Sequence, residues 1–482
     1  MYYAEFCRCL VRQKLYNNKA KYRQDVGSIL ISIVNMEPPY TQRSGVPLQT
    51  RPVLSPFNPS ALQSINSILP PKKNGMTINI HDHYASKRYR PGSIVMGTVN
   101  IKPKKQIPFT KVSIKFVCDS SVERPNANLS FETWHRLLDL EMPIEEAALP
   151  TTKILQANET YTVPFYFVLP NGLGTEACSH NVIWQETRQL HSHLPPSITG
   201  WESDAMIPRG VRVDYGVIAQ VWDSTSPEYA KMEAKETVQF LPGHVEHPPL
   251  KIPTANRTFK FGSSKQLKSN VFCRSSGEIT LYTDQPNAIV LDSSGKSFHP
   301  TTITTSLRLK LCDQKTSLPQ TCSVSAKIES ETWSQDEPMQ QLPHIVNARD
   351  CYNGSDTLVK KSEVGLRWEK NSPKQTDSIV TETAETFSSH IEIPITSFAS
   401  DKKMFLPTFY SCLIARTYQL HLTINVASTT LKLVLPVQLT MEEQKGDVQP
   451  DAEDIGLPES SARCSSSLPS YIESERRHSQ PE

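Results

Sequence analysis

Glycine is scarce in this chain and proline is not: 18 glycines stand against 37 prolines in 482 residues. Proline interrupts helix and sheet interiors, so this balance excludes a simple helix bundle and suits short strands, turns and linkers. Neither charge sign is in excess, with 51 Lys and Arg against 49 Asp and Glu and a net charge of +2. A global field aimed at nucleic acid or at a membrane surface is therefore excluded. No stretch reaches the ~18 consecutive apolar residues of a transmembrane helix, and none is expected. The opening MYYAEFCRCLVRQKL is broken by Glu5 and Arg8, and GSILISIV (27–34) is too short for an h-region with a cleavage site, so no secretory signal is expected. The ten cysteines lack paired CxxC spacing and are read as reduced thiols of a cytosolic protein.

Catalytic signatures are also missing. There is no G-x-S-x-G, no P-loop and no G-x-G-x-x-G after a strand. Two His-x-His runs occur, His81-Asp82-His83 and His191-Ser192-His193. On a strand such pairs share a face and could hold a metal. Neither run has a nearby Cys or a further His at metal spacing, so both are read as loop or solvent-facing histidines. No catalytic, cofactor or metal residue is assigned, and a non-catalytic binding module is expected.

What the sequence does contain is alternation of period two. Val112, Ile114, Phe116 and Cys118 form one such face, and Tyr161, Val163, Phe165, Phe167 and Leu169 another. Val211, Val213, Tyr215, Val217, Ala219 and Val221 form a third. After residue 269 the pattern returns in Ile279 with Leu281, in Leu307, Leu309 and Leu311, in Val324, Ala326 and Ile328, and in Ile391, Ile393 and Ile395. Two long runs close it: Tyr418 to Val426 and Leu431 to Leu439. Alternating strands with one buried face predict an all-β protein of antiparallel sandwiches.

The predicted organisation is an irregular extension over 1–75, a β-sandwich over 76–242, a proline-bearing linker over 243–269, a second β-sandwich over 270–441 and a disordered acidic, serine-rich tail over 442–482. Basic residues gather in the first sandwich. Lys72 and Lys73 precede its first strand, Lys87, Arg88 and Arg90 lie in a hairpin, and Lys102, Lys104 and Lys105 follow a strand. They read either as a solvated edge that blocks strand aggregation or as a contact for acidic cargo or anionic lipid.

In order and spacing, several stretches resemble the arrestin superfamily, in particular the fungal α-arrestins, the arrestin-related trafficking adaptors. In the first sandwich these are YRPGSIVMGTVNI (89–101), VPFYFVLP (163–170), HLPPS (193–197) and VDYGVIAQV (213–221). In the second they are GEITLYTDQP (277–286) and LPTFYSCLIARTYQLHLTINV with LKLVLPVQL (406–439), which includes Arg416 and Tyr418. The resemblance covers about 76–441. It implies two consecutive arrestin-like immunoglobulin-type sandwiches and an adaptor without catalysis of its own. Such adaptors bind cytosolic regions of membrane transporters or receptors and recruit a HECT-type ubiquitin ligase through its WW domains. The protein would then be cytoplasmic, recruited peripherally to the plasma membrane or endosomes, with no nucleic-acid partner.

Leu468-Pro469-Ser470-Tyr471, in the tail, is a variant of the Pro-Pro-x-Tyr motif that WW domains read. Leu468, Pro469 and Tyr471 are the expected contacts. Leucine keeps an apolar contact but loses polyproline preorganisation, so an affinity in the tens of micromolar, about −6 kcal/mol, is expected. Glu37-Pro38-Pro39-Tyr40 offers a second candidate through Pro38 and Tyr40. The alternative is an arrestin-like signalling or trafficking scaffold with an inert tail, as in ambient-pH signalling.

Overall fold

The computed structural model describes residues 41–42, 46–53, 75–124, 130–198, 207–224, 229–243, 246–268, 275–311, 317–345, 351–371, 385–399 and 403–442. The chain is nearly all β. In the first half β1 (Thr41–Gln42), β2 (Val46–Val53), β3 (Met76–Ile80), β4 (Arg88–Tyr89), β5 (Ile94–Ile101) and β6 (Ile107–Pro108) are followed by β7 (Lys111–Arg124) and β8 (Ser130–Met142). β9 (Ile154–Leu155), β10 (Tyr161–Val168), a 3-10 turn (Thr175–Cys178), the short helix α1 (Gln185–His191), β11 (Val211–Trp222) and β12 (Met232–Phe240) complete it. One sheet runs β1-β8-β7-β11-β12-β4 with β2 also on β8, and a second runs β10-β5-β3.

The second half holds β13 (Gly262–Lys268), β14 (Ser275–Tyr282), β15 (Ile289–Leu291), β16 (Thr301–Leu311), β17 (Thr321–Ser334) and β18 (Cys351–Gly365). It continues with β19 (Glu369–Lys370), β20 (Glu385–Ile395), β21 (Phe409–Tyr410), β22 (Ile414–Val426), β23 (Thr429–Val437) and β24 (Leu439–Met441). Its sheets run β13-β14-β16-β20-β19 and β18-β17-β22-β21, with β23 on β22, and β15 pairs β24. Among the described residues no strand of 41–240 pairs with one of 262–441. Most buried apolar side chains of both halves nevertheless form one cluster, beside a smaller one around Trp333, Met339 and Tyr410, and the described residues belong to one compact unit.

The alternating faces go where their period sends them. Ile114, Phe116, Cys118, Val163, Phe167, Val213, Val217 and Val221 are all buried, as are Leu307, Leu309, Ile391, Ile393, Leu420, Leu422, Leu433 and Leu435. On the opposite face of the first sheet, charged side chains pair laterally. Arg136 grips Asp119 with two hydrogen bonds of 2.8 and 3.2 Å, Lys115 reaches Asp139 at 3.0 Å and Lys111 reaches Glu141 at 2.5 Å. Val117 lies between Lys115 and Asp119 and is fully buried.

Both halves close by the same device. On β11 the buried Tyr215 hydroxyl donates to the Pro195 carbonyl at 2.7 Å. Two residues after that acceptor, the Ser197 N–H donates to the Phe240 carbonyl (2.8 Å) and its hydroxyl accepts from the Phe240 N–H (2.9 Å). On β22 the buried Tyr418 hydroxyl donates to the Leu406 carbonyl at 2.6 Å. Two residues later the Thr408 N–H donates to the Leu439 carbonyl (2.8 Å) and its hydroxyl accepts from the Leu439 N–H (2.9 Å). The closing strand is then paired in parallel by a short strand from earlier in its own half: β12 by β4, and β24 by β15. A tyrosine that ties its strand back to upstream backbone is a recurrent lock of sandwich corners.

Two segments differ from expectation. β1 and β2 fall inside the stretch expected to be irregular, 1–75, and both pair with β8. β2 is an edge strand, where Pro47 and Pro52 are tolerated because the outer N–H positions need no partner. β13 falls inside the expected linker, 243–269, and pairs along β14, while Lys260 bridges to Val434. It too is an edge strand and contributes a single buried apolar side chain, Leu267. An edge strand that buries so little has almost no period-two signal to detect.

Candidate metal centre

The connection from β10 to β11 carries three of four side chains that converge on one point. Residues 175–178 wind as a 3-10 turn that ends at Cys178, and α1 ends at His191. The helix stops there because the Ser192 N–H closes back onto the Arg188 and Gln189 carbonyls, each at 3.1 Å, and Pro195 follows. Arg188 braces the two segments: its guanidinium donates to the Cys178 carbonyl at 2.6 Å and to the His180 carbonyl at 3.3 Å. The fourth side chain, Cys412, comes from the second half, on the turn between β21 and β22. That turn is held by the Ser411 N–H and hydroxyl, which donate to the Ile414 carbonyl at 2.8 and 2.7 Å, and by the Met339 N–H on the Cys412 carbonyl at 2.7 Å.

The ligand atoms of Cys178, His180, His191 and Cys412 all lie within 4.8 Å of one another. Cys178 Sγ is 3.2 Å from His180 Nε2 and 3.5 Å from His191 Nδ1. Cys178, His191 and Cys412 are buried, at 3%, 1% and 1% exposure, and His180 is half-buried. His180 Nδ1 donates to the Asn181 carbonyl at 3.0 Å, which leaves Nε2 as the ring atom that faces the sulfur. Among the described residues this is the single group of three or more His, Cys, Asp or Glu side chains placed so closely.

The electrostatics are those of two sulfurs sharing one charge. The hydrogen bond from Cys412, followed by those from His180 and His191, holds the Cys178 thiol far below the ordinary thiol range against the opposing effect of burial. Its bond to Cys178, together with burial, pushes Cys412 well above that range. Cys178 ionises first because both imidazoles face it. Burial opposes protonation of His180, but its bonds to Cys178 and to the Asn181 carbonyl outweigh that and raise it. On β8, His135 stands beside the cluster, buried, with no hydrogen-bond partner at Nδ1.

No family model and no curated protein matches this chain.

The sites expected from sequence are placed as follows. Leu468, Pro469 and Tyr471, and also Pro38 and Tyr40, lie outside the described residues. Lys102, Lys104 and Lys105 are exposed after β5. Arg88 and Arg90, read as neighbours of that basic group, turn instead to the second half: Arg88 donates to the Ser293 carbonyl, and Arg90 to the Glu442 carbonyl at 2.9 Å. His83 meets the Tyr89 hydroxyl at 3.2 Å.

One reading is overturned. His191 was expected in a loop or facing solvent, yet it is buried and faces two cysteines and a histidine. His193, just beyond the end of the helix, stacks instead on His247 with ring centroids 5.3 Å apart. The available signal was Cys178-x-His180 followed by His191, but its completing residue lies in the other half of the chain, where no local spacing rule reaches.

Proposed function

We propose that this chain is a non-catalytic adaptor of the arrestin type, which links the cytosolic part of a membrane transporter or receptor to a WW-domain HECT ubiquitin ligase. Bound cargo is ubiquitinated and internalised, and the adaptor works from the cytoplasm at the plasma membrane or endosomes. The observation that carries this reading is the repeated closure: two consecutive β halves, each locked by the tyrosine and the hydroxyl pair around Pro195–Ser197 and Leu406–Thr408. These are the segments through which the sequence resembles that family. The Leu468-Pro469-Ser470-Tyr471 element supplies the ligase contact. Proline in a polyproline-II peptide enters an aromatic groove with little entropy left to lose, and the tyrosine adds a second anchor on the same side.

The test is a fluorescent peptide spanning 463–477 titrated with WW domains, beside its Tyr471→Ala form. Saturable binding in the tens of micromolar, about −6 kcal/mol, that Tyr471→Ala abolishes is the expected result. Equal or absent binding by both peptides would remove the ligase from the reading and leave a trafficking or signalling scaffold. For the cargo side, joint charge reversal of Lys102, Lys104 and Lys105 is expected to slow cargo turnover. Unchanged turnover would discard that edge as the contact.

A further inference from the structure

We propose that Cys178, His180, His191 and Cys412 bind one structural zinc ion that clamps the β10–β11 connection of the first half to the β21–β22 turn of the second. This inference stands on the geometry of the cluster and does not depend on the adaptor reading.

The distances fit a tetrahedral ion. With Zn–S near 2.3 Å and Zn–N near 2.05 Å, the edges of a Cys2His2 tetrahedron are about 3.5 Å for S···N, about 3.3 Å for N···N and about 3.8 Å for S···S. The two S···N separations made by Cys178 are 3.2 and 3.5 Å, and no pair of ligand atoms exceeds 4.8 Å. Mixed thiolate and imidazole donors in a tetrahedral set select zinc over magnesium or calcium, which take oxygen. Four protein ligands leave no open position, and three of them are buried, so the ion would be structural and not catalytic.

Charge and supporting contacts agree. In the bound state both cysteines are thiolates, Cys412 giving up its proton to join the already ionised Cys178, and their two charges cancel that of the dication, so the buried site is neutral. The ligands are held from behind, as metal-binding side chains are: His180 by the Asn181 carbonyl, the Cys178 backbone by Arg188, and the Cys412 backbone by the Met339 N–H. A disulfide between Cys178 and Cys412 would account for the two sulfurs but leave both imidazoles without a function. Each half supplies an incomplete set, so the ion fixes how the two halves meet. Ile183, between Cys178 and α1, already donates to the Gln340 carbonyl across the same contact at 3.0 Å.

The full chain, purified under reducing conditions without added metal, should carry about one zinc by elemental mass spectrometry. Its cobalt-substituted form should show the intense visible bands of a tetrahedral dithiolate site. Cys178 and Cys412 should resist alkylation until a chelator is added. Cys412→Ser alone should lower zinc content at least about fivefold, because the second half supplies only that ligand. Cys351→Ser, a neighbouring cysteine outside the four ligands, should leave zinc content unchanged. A metal-free protein that also gives only weak octahedral cobalt bands overturns the proposal. So does a Cys178–Cys412 disulfide in zinc-free protein, or a full zinc complement in folded Cys412→Ser. The wild-type metal content and cobalt spectrum decide the matter even where a variant fails to fold.

Discussion

Set side by side, the two halves share a framework and differ in what hangs from it. Pro195, Pro196, Ser197 and Ile198 stand in the first as Leu406, Pro407, Thr408 and Phe409 stand in the second. The Ile198 N–H reaches the Val213 carbonyl at 3.1 Å, and Phe409 pairs with Arg416; Val213 and Arg416 each lie two residues before the anchoring tyrosine. Both positions are fully buried, one apolar and one charged. The framework therefore specifies backbone hydrogen bonds and a tyrosine, and tolerates a change of chemistry between them.

The connections are where the halves part. Between β10 and the first anchor the chain inserts the 3-10 turn, α1 and three of the four clustered ligands. In the second half β20 ends at Ile395, much closer in sequence to its anchor at Leu406. Beyond the anchor the second half turns tightly through Ser411–Ile414 and presents Cys412. Connections can be elaborated without disturbing a sheet, so a site assembled from them is what a shared scaffold permits.

The largest expected effect contrasts two glycines. At Gly97, on β5 between β3 and β10, an added Cβ would lie 2.0 Å from the Asn79 carbonyl oxygen and 2.8 Å from the Phe165 ring. Gly97→Ala should destabilise the chain by roughly 3 kcal/mol or more. Gly365, at the end of β18, has open space there, and Gly365→Ala should stabilise slightly, by about 0.5 kcal/mol. Denaturant melts of both variants check this, and a similar loss from each would mean that close backbone approach does not govern the first half.

Next come the paired locks. Tyr215→Phe and Tyr418→Phe each leave a buried carbonyl without its donor and should cost about 1–3 kcal/mol. If the halves are equivalent, the two losses should agree within about 0.5 kcal/mol and add in the double variant. A much larger loss from one tyrosine would show that its half holds the other together.

A third effect vanishes at neutral pH and is confined to acid. His344 in the second half is buried between the rings of Phe259 and Tyr410, and burial pushes its pKa down to about 3. The unfolded chain takes up a proton near pH 6.5 that the native chain refuses. The stability held by neutral His344 is thus full above about pH 6.5 and is lost as pH falls toward 3, at up to about 1.4 kcal/mol per pH unit. His344→Phe should flatten the dependence of melting temperature on pH over that window. An unchanged slope would place the acid sensitivity elsewhere.

Much of this fold was legible from residue order. Period two marked Phe116, Val217, Leu309 and Leu422 as core because a strand sends alternate side chains to one face, and a local rule suffices for that. Edge strand β13 escaped because it pairs by backbone and buries little, and β2 because its two prolines make the stretch read as irregular. Fold class and the core faces were therefore determined by sequence alone. Tertiary structure alone decided that Arg88 and Arg90 turn to the second half, that both tyrosines find their carbonyls, and that Cys412 meets Cys178, His180 and His191. The physical reason is range: periodicity reports what a residue does against its own strand, whereas a ligand set drawn from both halves exists only once the sheets have packed.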